Sequence, residues 1–282
     1  MRRLLSIICC CVALSLNLFA EKPDGDDLRE IKRPVIGFYN VEIGKRHALS
    51  TYLSPFSYKG TAYAVSGYWT KMLPADPERL AMSFEVRGEF GNLLNPGRTA
   101  SEMDLEGTFS WGMEWKKRFP RNFIVGVGGV VGLYGGVLYL PRNGNNPAAA
   151  QFATGIGLSG SAGWHTTIGK LPVLFSDRLV LPLMSGFFMP GYGETYYEIY
   201  LGNHSGLAHF GWPGNRVGVD NLVSATLDFG RTSLQIGYRF SMQNTQANHL
   251  VNRIFNHAFV IGVVPGGIGL KQKRKDIITP LY

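Results

Sequence analysis

The residues best placed to do chemistry fall in two short runs and one later position. Glu85, Arg87 and Glu89 share odd positions in 80–91, and Asp104 and Glu106 share even positions in 102–116. Each set lies on the polar side of an alternating segment, so an extended chain would gather all five on one face. Arg239 takes the same polar parity in 232–241. Four carboxylates with two guanidiniums can do two things. They can pair with one another across strands, or they can form a net-negative ring that attracts cations. Pairing by position sums near 193 would set Arg87 opposite Glu106 and Glu89 opposite Asp104. A slip by two would set Arg87 opposite Asp104.

Catalytic and metal chemistry finds less support. Asn203-His204-Ser205, with His209 nearby, could suggest a Ser/His hydrolase, but no third orienting group is identifiable. The six histidines, His47, His165, His204, His209, His249 and His257, lack the spacing of a metal pair. No phosphate loop or dinucleotide motif occurs, and no catalytic, cofactor or metal site is expected.

The elements that must carry the charges are strands. Leu80, Met82, Phe84, Val86 and Phe90 alternate with Ala81, Ser83, Glu85, Arg87 and Glu89. Met103, Leu105, Phe109, Trp111, Met113 and Trp115 alternate with polar or small residues, and the pattern returns in 152–168, 217–229 and 232–241. Several runs exceed ten residues, longer than the usual soluble strand of about five or six and close to what a tilted membrane strand needs. Phe123 to Leu140 carries no charge and holds Gly128, Gly132 and Gly136 at four-residue spacing, which also permits a transmembrane helix. Six glycines there disfavour a helix by about 1 kcal/mol each, so a strand is expected.

Longer links are read near 45–57, 92–101, 141–150, 192–215 and 242–255, and shorter ones near 72–79, 117–121, 169–177 and 230–231. This asymmetry fits an all-β, antiparallel transmembrane β-barrel of about ten strands, or twelve if 186–201 fold back as an extra pair. Trp69, Trp115, Phe123 and Phe229 lie beside short links, and Phe90, Tyr139 and Phe152 beside long ones. These seven are the expected membrane-interface aromatics.

The N-terminus has Arg2 and Arg3, an apolar run from Leu4 to Ala20, and a break at Glu21. That is a secretory signal peptide over 1–20, with a retained anchor as the alternative. A periplasmic segment over 21–34, a barrel over 35–264 and a basic tail over 265–282 would follow. The tail holds Lys271, Lys273, Arg274 and Lys275. All three cysteines, Cys9, Cys10 and Cys11, lie inside the signal segment, so the exported chain would form no disulfide. Charged residues are only 17%, below the soluble norm of about 25%. The net charge of +8 does not indicate nucleic-acid binding in an exported chain.

Met189-Pro-Gly-Tyr-Gly-Glu-Thr-Tyr-Tyr-Glu-Ile-Tyr200, Pro213-Gly-Asn215, Ala258-Phe-Val-Ile-Gly262, Thr51-Tyr-Leu-Ser-Pro55 and Asn145-Asn-Pro-Ala148 give the chain a further resemblance. Together they resemble an uncharacterised family of exported proteins from Bacteroidota, a domain of unknown function commonly predicted to form outer-membrane β-barrels. The resemblance carries no activity with it. Such chains tend to end soon after the last strand, and this one continues to Tyr282. The expectation is a Gram-negative outer-membrane barrel, non-enzymatic, structural or porin-like with a narrow channel. Its partners would be outer-membrane lipid and the barrel-assembly machinery. The alternatives are a lipid-modifying barrel enzyme and a soluble periplasmic all-β binding protein.

Overall fold

The computed structural model describes residues 32–144, 146–270 and 278–281. The expected signal peptide and the lysine-rich part of the tail lie outside the described residues. Eleven strand segments are present: β1 Ile36–Ser50, β2 Tyr58–Met72, β3 Leu80–Leu94, β4 Ser101–Phe119, β5 Phe123–Tyr139, β6 Ala148–Ile168, β7 Leu171–Phe188, β8 Ala208–Gly211, β9 Arg216–Asp228, β10 Thr232–Ala247 and β11 Leu250–Pro265. A one-turn helix, α1 (Tyr196–Tyr200), precedes β8 and is closed by a capping box between Thr195 and Glu198.

Each strand pairs antiparallel with its chain neighbour, except that β8 and β9 both pair with β7 and not with each other, and β1 pairs with β11 from Tyr39↔Val263 to Ser50↔Asn252. The sheet therefore closes on itself. Ten strands circle the barrel, because β8 and β9 run in the same direction beside β7 and occupy one place in the wall. Residues 186–201 do not form an extra pair, which removes the twelve-strand alternative.

The expected parity holds. Exposed Val41, Ile43, Tyr63, Val65, Val86, Leu105, Val127, Ile156, Val223, Tyr238 and Ile261 form an apolar outer surface, while Glu42, Arg46, Arg87, Glu89, Asp104, Glu106 and Arg239 are buried inside. An apolar outside and a charged inside is the inverse of a soluble protein. An outer band of this kind is the surface that a membrane-type barrel presents to hydrocarbon.

The glycine-rich segment is strand β5, paired along its length to β4 and β6. Gly128 is required there, since a Cβ would stand 1.8 Å from the Met113 carbonyl oxygen.

Four expected links differ: residues 45–50 finish β1 and residues 171–177 begin β7. Residues 242–255 are mostly strand: β10 and β11 meet at a two-residue turn, Asn248-His249, with φ of 51° and 60°. This stretch is polar because the hairpin continues past the apolar band, not because it leaves the sheet. The 73–79 connection is also as long as 51–57, so the short–long alternation fails at that pair. The end carrying 51–57, 95–100, 140–147, 189–215 and 248–249 is called the loop end below, and the opposite end the turn end.

Candidate functional site: the charged lumen

The six charged residues expected to face inward all do so, in a larger network than the spacing implied. The β3–β4 register follows sums of 195, so Arg87 stands opposite Thr108 and Glu89 opposite Glu106. Both registers read from the sequence are thereby corrected. Two like charges now face each other, and the cation that answers them comes from β1. Arg46 donates Nε to Asp104, Nη1 to Glu89 and Nη2 to Glu106. It reaches them across β2, whose inward Ala62 and Ala64 leave the space open. Arg87 then turns to Glu42, with Nε 3.0 Å from Oε2, and to the second oxygen of Glu89. Asn256 donates to that same oxygen at 3.0 Å.

A second knot adjoins the first. Arg239 donates to Glu85 at 2.5 Å and to Asp220 at 3.1 Å, and its Nε lies 3.4 Å from Glu42. Arg178 holds both oxygens of Glu85, at 2.8 and 2.9 Å, and lies 3.9 Å over the ring of Tyr68. Strands β1, β3, β4, β7, β9 and β10 all contribute, so the bonds run from wall to wall. Single truncations in such a buried network leave uncompensated charge, which is costly even where the pair itself adds little.

Sequence reasoning missed Glu42, Arg46, Arg178 and Asp220. Glu42 and Arg46 share the even parity of Phe38, Asn40 and Ala48, and extending the β1 alternation through 45–50 would have found them.

The two barrel ends are also filled. At the loop end, Leu53, Tyr58, Leu93, Leu138, Leu140 and Ile254 form a buried cluster, and Phe187, Met189 and Leu250 form another. Tyr52 ties the loops together by donating to the Glu194 carbonyl at 2.6 Å and accepting from Asn146. Burial raises its hydroxyl above the ordinary tyrosine range, and Asn146 opposes the rise. At the turn end, Ile36, Phe38, Leu174, Val264 and Ile268 pack together with Leu281 from the C-terminal segment. That segment is held by Ile278 N–H donating to the Lys32 carbonyl and Arg118 donating to the Thr279 carbonyl, at 3.0 and 3.1 Å.

The seven aromatics expected at the membrane interface lie on the outer face toward the two strand ends. Trp69 is stacked on Phe84 at 4.6 Å and donates to the Tyr39 hydroxyl. Trp115, Phe123 and Phe229 accompany it at the turn end, with Phe90, Tyr139 and Phe152 at the loop end, all six exposed. Trp164 and Phe175, stacked at 5.8 Å near the turn end, escaped the sequence reading. His209 binds the Met189 carbonyl at 2.9 Å and stacks on Phe187. His204 and Ser205 are exposed.

A family model described as "Protein of unknown function (DUF3316)" matches residues 5–274. The chain belongs to this family. No curated protein matches it. Among solved structures, the transport unit of the autotransporter AIDA-I from Escherichia coli aligns over 90% of this chain and 97% of its own, at 8% identity and a TM-score of 0.43. The outer membrane protease OmpT from Escherichia coli aligns over 82% and 96%, at 10% identity and a TM-score of 0.48. Neisserial surface protein A aligns over 82% and 96%, at 13% identity and a TM-score of 0.31. At these scores the likenesses carry no argument about activity, and the barrel assignment rests on the closed ladder of this family member itself.

Proposed function

We propose that the protein is an outer-membrane barrel with a non-enzymatic, structural role and a plugged lumen. The observation that carries this reading is the wall-to-wall ion-pair network centred on Arg46, Arg87 and Arg239. A pore needs a continuous water path, and a barrel of this size has a narrow interior that such a network fills. The apolar outer band supports residence in lipid, and the two aromatic levels support a membrane-spanning orientation. Lipid, and the machinery that assembles barrels, are the partners this reading implies.

Bilayer recording on purified protein tests it. The wild type is expected to show no steady open-pore current. Arg87→Ala, which removes one of the cations that hold Glu42 and Glu89, is expected to show leakage. A cation-selective current in the wild type would overturn the plug and establish a cation-preferring constriction instead. Heat-modifiable gel mobility of the same samples confirms that a closed barrel was recorded.

A further inference from the structure

Among the described residues, five arginines reach the lumen between the two seals; four pair with carboxylates and Arg216 pairs with none. Its donors meet only neutral acceptors: Thr245 Oγ1 at 2.8 Å and Gln243 Oε1 at 3.3 Å. Its guanidinium lies 6.0 Å from the Tyr134 ring centre and 5.7 Å from that of Phe187. Arg216 is half-buried, and a guanidinium partly withdrawn from water without an anion carries a desolvation cost. A second donor nearby is also unanswered. Gln151 accepts from the Tyr134 hydroxyl at 2.7 Å, and its own Nε2 is buried without a partner among the described residues.

Arg216 and Tyr134 stand between two cavities. The smaller, of about 30 Å³, is bordered by Gln151 and Thr245. The larger, of about 170 Å³, is walled by Val130, Val180, Pro182 and Met242 and by bare glycine backbone. A cavity of roughly 150 Å³ holds benzene. The floor of the larger cavity is formed by Glu85, Glu106 and Asp220 with their arginines, which disfavours a second negative group on the ligand.

The wall beside this cavity is weakened. The β7–β9 ladder ends at Val180↔Asp220, and β7–β8 pairing resumes at Ser185↔Gly211. Residues 181–184 therefore lack ladder partners on that side. Pro182, which has no N–H, Gly218 and Val219 border both the gap and the cavity. A ligand with an apolar body could enter here from the lipid phase.

We propose that Arg216 and Gln151 form a binding site for a small organic monoanion, a carboxylate with a compact apolar body of about benzene size. The carboxylate meets the guanidinium and Gln151 Nε2, and the body fills the larger cavity. This site does not depend on whether the barrel conducts, because binding is read in micelles.

The test is isothermal titration of the refolded full chain with benzoate, hexanoate and inorganic phosphate, together with methionine-methyl NMR of the unmodified protein. Saturable one-to-one binding of benzoate or hexanoate is expected. The Met242 methyl resonance should move while that of Met72, in the turn-end half, does not. Arg216→Gln should abolish binding without removing an ion pair. Gly132→Leu should abolish it by filling the cavity, since a Cβ there meets nothing closer than the Phe109 carbonyl at 4.0 Å. The proposal is overturned by any of three results: no saturable binding to the wild type, phosphate binding as tightly as benzoate, or a Met242 signal that stays fixed.

Discussion

Glu89 and Glu106 face each other directly across the β3–β4 ladder, and Arg46 from β1 bonds to both. Two carboxylates opposed on neighbouring strands repel. The pair is tolerable because Arg46 and Arg87 each pair with both carboxylates. Arg46→Ala should therefore cost about 3–5 kcal/mol, the usual penalty for removing one partner of a buried charge group. Arg46→Lys should recover little, because one ammonium cannot reproduce three directed guanidinium bonds. Denaturant unfolding of the refolded barrel measures both. Adding Glu106→Gln to Arg46→Ala should restore part of the loss. A single-variant loss under about 1 kcal/mol would mean that water or counter-ions reach the cluster freely.

The outer face gives a sharper contrast. Val86 is 46% exposed and stands opposite Phe109 near the middle of its strand. Val86→Arg should cost about 2–4 kcal/mol in a bilayer, as a cation facing hydrocarbon does. Ser241, inward on β10, borders the larger cavity and stands opposite Asp220. Ser241→Arg should cost much less. Equal costs in liposome unfolding would remove the membrane reading of the outer band.

The alternation in 80–91, 102–116, 152–168 and 232–241 was legible because each run has one clearly apolar side. The loop-end half of β1 was not, because Lys45 and His47 make its outward face as polar as its inward Arg46. Residues 45–50 therefore resembled a loop, and the principal cation of the network was lost with them. The β3–β4 register escaped for a different reason. Sums of 191, 193 and 195 all keep the same faces inward, since only an odd shift reverses them. What sets the register is the 95–100 turn, where the Asn95 side chain accepts from the Thr99 and Ala100 amides and Arg98 takes a φ of 54°. Parity carries no information about that turn. Arg178 was hidden by the reading of 169–177 as a link, when β7 in fact begins at Leu171 after a two-residue turn.

Tyr52 makes the loop-end seal sensitive to alkali. Its hydroxyl is raised above the ordinary tyrosine value by burial. The folded loops therefore hold its proton more tightly than the unfolded chain does. The stabilising contribution is complete below the ordinary value, about pH 10, and is lost as pH climbs through the raised folded value. Protease cleavage within 189–207 should accelerate above about pH 10 in the wild type. Tyr52→Phe should cleave faster at neutral pH, having lost the bond to the Glu194 carbonyl, and should show a weaker alkaline rise. Parallel pH profiles for the two would show that Tyr52 does not hold the seal.

The turn-end seal depends on Leu281, which packs against the Ile36, Phe38, Leu174, Val264 and Ile268 cluster. Pro280 and Leu281 also border a cavity of about 70 Å³ that reaches Ser176. Cys9, Cys10 and Cys11 all precede the barrel, so a chain begun at Glu21 with Ser176→Cys has a single thiol. That thiol should react slowly with a membrane-impermeant maleimide while the C-terminal segment is seated. A partly buried leucine contributes roughly 1.5 kcal/mol, so Leu281→Asp should raise the unseated population by on the order of tenfold. The labelling rate should rise with it, because modification proceeds through local opening. Heat-modifiable mobility should be unchanged, since Leu281 lies outside every strand ladder. If labelling is already fast in the parent, or does not respond to Leu281→Asp, the C-terminal segment is not what closes this end.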